Sequence, residues 1–136
     1  GDPETQAVLP LLKSDLLGVM QATTNGTLKD VDVTFSDEAS CCVVLASQGY
    51  PGKYESGFPI TMSPQAAAHS DIAGARLDEG RLLSAGGRVA GVTAVAPTLQ
   101  DAVNAAYRLA GEVQFANKYC RSDIGKAALA AQEEKG

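Results

Sequence analysis

Residues 81–113, RLLSAGGRVAGVTAVAPTLQDAVNAAYRLAGEV, decide the fold. They read as a strand, a Gly-Gly turn or bulge, a second strand and then a helix. Val89, Val92, Ala94 and Val95 are small or β-branched, which suits a strand buried on both faces. Pro97-Thr98 interrupts the run, and Thr98 with Asp101 has the N-cap and N3 spacing of a capping box. Leu99, Ala102, Val103, Ala106, Leu109, Ala110 and Val113 then recur at helical spacing, one apolar stripe to lay on a sheet. Gly86 and Gly87 would only weaken a strand, so they imply a sharp turn or a close approach by another group.

Upstream, residues 39–46 (ASCCVVLA) form a continuous apolar run and read as a buried strand. Before them Val31, Val33 and Phe35 alternate with Asp32 and Thr34, as in a half-exposed strand. With Ser36-Asp37-Glu38 as the turn, these two strands are expected to pair as an antiparallel hairpin. Residues 10–25 read as one helix. Pro10 suits its first position, and Leu11, Leu12, Leu16, Val19 and Met20 form its inward face, with Lys13, Ser14 and Asp15 in water. Asn25-Gly26 ends it. Residues 5–9 read as a separate helical turn capped by Asp2 or Thr5.

Between the apolar strand and the organising stretch, SQGYPGKYESGFP is a loop of about a dozen residues, longer than most connections. Tyr50, Tyr54 and Phe58 imply that it is ordered. Residues 58–61 read as a short strand, while 63–70 fit either helix or loop. Residues 71–77 form a strand that turns at Asp78-Glu79-Gly80 to pair with 81–83. Downstream, 114–121 is a connection that admits a short strand at Phe115. Asp123 is expected to cap a last helix through Ala131, and QEEKG to fray.

At 136 residues the chain supports a single core. The net charge of −5 argues against a general nucleic-acid binder. Neither a membrane-length apolar run nor a signal peptide is present in it. The three cysteines have no CxxC or Cys/His spacing for zinc and read as reduced, buried thiols of an intracellular protein. The sole histidine, His69, sits in a polar stretch and reads as exposed and inert. Gly1-Asp2-Pro3-Glu4 opens like the middle of a longer protein.

Few residues suggest chemistry on their own. Gly86-Gly87 precede a strand, whereas a phosphate cradle needs its glycines between a strand and a helix N-terminus. Asp2 and Glu4 suit either helix caps or a cationic partner. Arg88 beside Gly87 can grip a phosphate or carboxylate bidentately, or pair with Asp2, Glu4 or Asp123.

The motifs taken together say more. GDPETQ followed by VLPLLKSDLL resembles the stretch closing the ATP-grasp portion of phosphoribosylamine–glycine ligases (glycinamide ribonucleotide synthetases). VVLASQGYPGKYESG, LDEGRLLSAGGRVAGVTA and RSDIGKAAL resemble, in the same order, segments of the C-terminal domain of that family. The resemblance runs from Gly1 to about Leu129. It implies an α+β fold with a mostly antiparallel sheet, a packed N-terminal helix and a helix in the C-terminal half. On this basis residues 1–26 are the tail of the ATP-grasp region with its connecting helix, and 27–136 the C-terminal domain.

The family activates the glycine carboxylate with ATP and Mg2+, and the amine of 5-phosphoribosylamine then attacks to form an amide in purine biosynthesis. Asp2, Glu4 and Thr5 match its loop at the acyl-transfer centre. Gly49, Tyr50, Pro51 and Gly52 match its GYPG loop, and Gly86, Gly87 and Arg88 its GGR turn, both implied to bind substrate. Asp123 and Gly125 match its DIG. The family's metal-holding Glu and Asn precede the matched region, so no metal ligand is expected here, and neither ATP nor Mg2+ should bind this chain alone. One departure stands out: Ile72-Ala73-Gly74-Ala75 replaces His-Ala-Gly-Thr, which implies altered substrate handling. The resemblance thus implies either the C-terminal part of an intracellular ligase, cytoplasmic or in an organellar matrix or stroma, or a degenerate relative serving as an interaction subunit. In the latter case a protein partner would cover the vacated cleft face.

Overall fold

The computed structural model describes residues 1–134. The N-terminal portion comprises α1 (Glu4–Val8), a 3-10 turn (Leu9–Leu11), α2 (Leu16–Asn25) and a second 3-10 turn (Leu28–Asp30). Then follow β1 (Ala39–Ser47), β2 (Thr61–Met62), α3 (Pro64–Ala68), β3 (Ser70–Ile72), β4 (Ala75–Asp78), β5 (Arg81–Ser84) and β6 (Arg88–Ala96). The chain continues through α4 (Leu99–Gly111), β7 (Val113–Gln114), β8 (Lys118–Tyr119) and α5 (Lys126–Glu133). The expected frayed tail is helical as far as Glu133, and residues 135–136 lie outside the described ones.

The fold is α+β, and every strand pair among the described residues is antiparallel. The main sheet has the order β3-β6-β1-β8, with β2-β7 and β4-β5 as two-stranded companions. Alternation along β1 sends Cys41, Val43 and Leu45 to one face, where α4 lays Ala102, Val103, Ala106, Leu109 and Ala110 against them. Thr98 caps α4 as its spacing with Asp101 requires, its Oγ1 accepting the Asp101 N–H at 3.1 Å. The opposite face is covered in part by α1 and the first 3-10 turn, with the Gln6 amide near Gly91.

Several expectations are corrected. Residues 31–35 do not pair with β1. The chain there runs beside 11–14, joined by Lys13 N–H to Thr34 O at 3.0 Å, Ser36 N–H to Leu11 O at 2.7 Å and a bridge between Leu12 and Phe35. The alternation marked extended backbone correctly, but β1 takes the longer β6 as its partner, from Ala39↔Ala96 to Ala46↔Arg88. Residues 10–25 do not form one helix. Leu12 is extended, and Asp15 starts α2 afresh by accepting the Gly18 N–H at 2.8 Å. Of the face expected to turn inward, Leu16 and Met20 are exposed, as is Leu17, and only Ala22 of α2 is buried.

Other differences are local. Neither Asp2 nor Thr5 caps α1, and α5 has Gly125 at its N-cap with no side-chain cap, the Asp123 carboxylate being engaged by Arg121. Residues 63–70 resolve into α3, capped by Ser63. Val95 is exposed, so β6 is not buried on both faces to its end. The strand expected over 71–77 is two strands, because the backbone crosses itself at Gly74. A Cβ there would lie 2.4 Å from Arg88 O and 2.8 Å from Gly86 Cα. The expected turn at 78–80 is present, and β4 and β5 pair through Leu77↔Leu82.

Leu109 is 2% exposed in the centre of the core. Leu109→Ala is expected to cost about 2–5 kcal/mol, transfer and cavity together, read as a lower urea midpoint with an unchanged m-value. Gly74→Ala should destabilise as well, since backbone, not a movable side chain, occupies its Cβ position.

Candidate functional site

Cys42, Val44 and Ala46 of β1 form the floor of a groove of about 560 Å³ on the sheet face away from α4. Pro3, Tyr50, Pro51 and Arg88 stand along one part of its wall, and Tyr119, Cys120, Arg121 and Ile124 along the rest.

Arg88 reaches this face because the β1–β6 ladder slips. Leu45 pairs with Ala90 and Ala46 with Arg88, so a bulge at Val89 intervenes. Strict alternation from Ala90 would put Arg88 on the core face; the extra residue turns it to the other. The guanidinium then meets Asp2, 86 positions earlier: Nη1 donates to the Asp2 carbonyl at 3.1 Å, and Nη2 lies 3.3 Å from Oδ2. Of the three carboxylates considered as its partner, Asp2 is the one used. Gly87 touches the third loop, since a Cβ on it would sit 2.1 Å from Tyr50 Cδ2. The Gly86-Gly87 pair therefore serves close approach, to Gly74 on one side and to Tyr50 on the other.

The opposite rim is pinned by different means. Arg121 donates Nε and Nη2 to the two Asp123 oxygens at 2.8 and 2.7 Å. These bonds hold the Asp123 carboxyl below its ordinary range. The Tyr107 hydroxyl donates to Arg121 O and accepts the Ile124 N–H at 3.0 Å, which fixes residues 121–124 against α4.

The sequence-predicted residues divide accordingly. Asp2, Tyr50, Pro51, Gly87 and Arg88 meet around the groove. Glu4 lines a neighbouring depression with Ser40 and Leu99, and Thr5 another with Leu9 and Asp71. Gly49 and Gly52 shape their loop while Tyr50 and Pro51 face the groove; Gly86 O is held by Ser47 Oγ at 3.0 Å. Ile72 pairs with Ala90, and so shares the face opposite Arg88; Ala75 packs against the core. Neither Ile72 nor Ala75 lines the groove, although Gly74 between them packs against the Gly86–Arg88 turn.

Tyr119, Arg121 and Ile124 were missed. Arg121 stands in the RSDIG motif, and its place beside Asp123 was the available signal. Cys42, Val44 and Ala46 were legible in principle, because apolar residues on both faces of β1 require two covers.

All three thiols are free. Burial raises the Cys41 and Cys42 pKa above the ordinary thiol value, so neither is a ready nucleophile at neutral pH. Among the described residues, no group of three or more His, Cys, Asp or Glu is placed to hold a metal ion.

Residues 40–127 match the family model for the phosphoribosylglycinamide synthetase C domain, well over half of the chain. The chain belongs to this family. A phosphoribosylamine–glycine ligase of Agrobacterium fabrum is 44% identical over 135 residues, covering 98% of this chain and 32% of that protein. A bifunctional purine biosynthetic protein of Pichia angusta is 45% identical over 132 residues, 95% of this chain and 17% of its own length. The crystal structure of the Thermotoga maritima phosphoribosylamine–glycine ligase superposes with a TM-score of 0.81 at 32% identity, covering 91% of this chain and 31% of that one. The chain therefore spans about a third of the single-function ligases that it matches.

Gly87→Ala is expected to push the Tyr50 ring out of its seat while costing little stability, because a side chain can swing away. Loss of the Tyr50–Gly87 contacts in nuclear Overhauser spectra with a nearly unchanged melting temperature would show this.

Proposed function

We propose that this chain forms the C-terminal wall of the active cleft in a ligase that joins glycine to 5-phosphoribosylamine using ATP. The observation that carries this reading is the convergence of the Asp2, Tyr50-Pro51 and Gly87-Arg88 segments on one groove. They come from remote parts of the chain, Asp2 lying 86 positions before Arg88. Within the groove, Arg88 offers a planar cation to a phosphate or carboxylate, and Tyr50 and Pro51 limit its approach from the side.

Residues 1–26 belong, in this reading, to the end of an ATP-grasp region, and 27–136 to the C-terminal domain. Support comes from exposure: five of the fourteen exposed large apolar side chains among the described residues fall within residues 1–26, Leu17 and Met20 among them. A helix of ten residues with one buried side chain has little tertiary support of its own. Its apolar face suits contact with a preceding domain. Of the acidic residues that the resemblance points to, Asp2 is engaged by Arg88 and Glu4 lines a separate depression. Nucleotide and metal binding are accordingly assigned to the part of the longer ligases that this chain does not span, and the enzyme to the cell interior. The same exposed face of α2 favours a second reading, an interaction subunit.

A chimera tests the first reading. The matching third of the Agrobacterium fabrum ligase is replaced by this chain, and ATP cleavage dependent on both glycine and phosphoribosylamine is measured. Activity is expected; a folded but inactive chimera would overturn the reading and leave the interaction subunit. The chain by itself is expected to release no heat of binding when titrated with magnesium ATP, and micromolar affinity would contradict the assignment.

A further inference from the structure

We propose that Asp2 is a positioning residue for Arg88, acting through the guanidinium and not on the reacting atoms. The inference rests on the reading of the groove as an anion-binding wall, and it assigns Asp2 a different part from the one that the resemblance implies.

Asp2 meets the guanidinium twice: its carbonyl accepts a hydrogen bond from Nη1 at 3.1 Å, and its carboxylate Oδ2 lies in ion-pair range of Nη2 at 3.3 Å. The carboxylate is itself oriented. With its amide nitrogen turned inward, Gln6 reaches Asp2 Oδ1 at 3.3 Å and Pro3 O at 3.3 Å. Gln6 in turn lies against Gly91, two places along β6 from the bulge. Gln6 thus stands between the sheet at Gly91 and the Asp2 carboxylate that meets Arg88. The remaining N–H groups of Arg88 have no protein partner among the described residues, which leaves them for a ligand in the groove.

Magnitude decides between a structural and a positional role. Both side chains are 41% exposed, and an ion pair so placed contributes little to stability. That is too little to matter for folding. Its geometric effect is larger, because an unheld arginine samples many rotamers, whereas a held one presents a fixed fork. Asp2 also lies outside the matched C domain and Arg88 inside it. The pair therefore ties the groove's cation to the segment that precedes the domain.

The test uses the chain as it stands, with the Arg88 Nε–Hε resonance as reporter and ribose 5-phosphate as probe. Asp2→Asn, which keeps the carbonyl contact and removes the charge, should shift that resonance toward the position of a free arginine without reaching it. The backbone amide spectrum of β1 and β6 should stay in place. Affinity for ribose 5-phosphate should fall about tenfold, the scale of one weakened charge-assisted contact, and Asp2→Glu should restore part of it. An Arg88 resonance indifferent to Asp2→Asn would overturn the proposal. So would changes spread through β1 and β6, which would mark a structural role. If Arg88 responds to Asp2 but the unsubstituted chain ignores ribose 5-phosphate, positioning stands and the functional reading loses its phosphorylated substrate.

Discussion

The antiparallel ladder between β1 and β6, with its single slip at Val89, is the constraint on which the rest depends. It joins the two nine-residue strands and gives each a core face and a groove face. Were the ladder regular, Arg88 would share the face of Leu45 and Ala90. A guanidinium there would be desolvated against an apolar core with no carboxylate to meet it, at a cost of several kcal/mol. The bulge removes that conflict and places the charge at the edge of a groove in the same step.

The two faces of the sheet differ in what covers them. One is sealed by α4, whose small residues, Ala102, Ala106 and Ala110, let the helix approach closely while Leu109 fills the centre. The other carries the short α1 and its following turn, with a groove floored by Cys42, Val44 and Ala46 beside them. Packing is concentrated on the first face, and the groove lies on the second. The exposed apolar residues of α2 and of the stretch ending at Phe35 fit the same division, since the family's C domain is matched only from residue 40.

Legibility in the sequence followed the range of the interactions involved. The capping of α4, its apolar stripe and the β4–β5 turn are local, and each was readable from residues within a few positions of one another. The order of four short motifs placed the chain in its family because such motifs do not require knowledge of contacts. Errors arose where a local pattern had two possible partners. Residues 31–35 have strand alternation, but their hydrogen bonds go to 11–14; residues 10–25 have helical periodicity, but Asp15 is a better cap than an interior residue. The split between β3 and β4 was hidden because what crowds Gly74 is backbone from residues 86 and 88.

What the sequence by itself determined is the set of elements with strong local signals, the apolar character of β1 on both faces, and the presence of an arginine beside two glycines. Tertiary structure alone decided which way that arginine points and which carboxylate it meets. Periodicity of two assigns residues to faces only while the register holds, and a one-residue bulge inverts every assignment beyond it. Asp2, Glu4 and Asp123 were equal candidates on charge. Only the docking of α1 on the sheet brings the first of them within reach of Arg88, while Asp123 is taken by Arg121 two residues away.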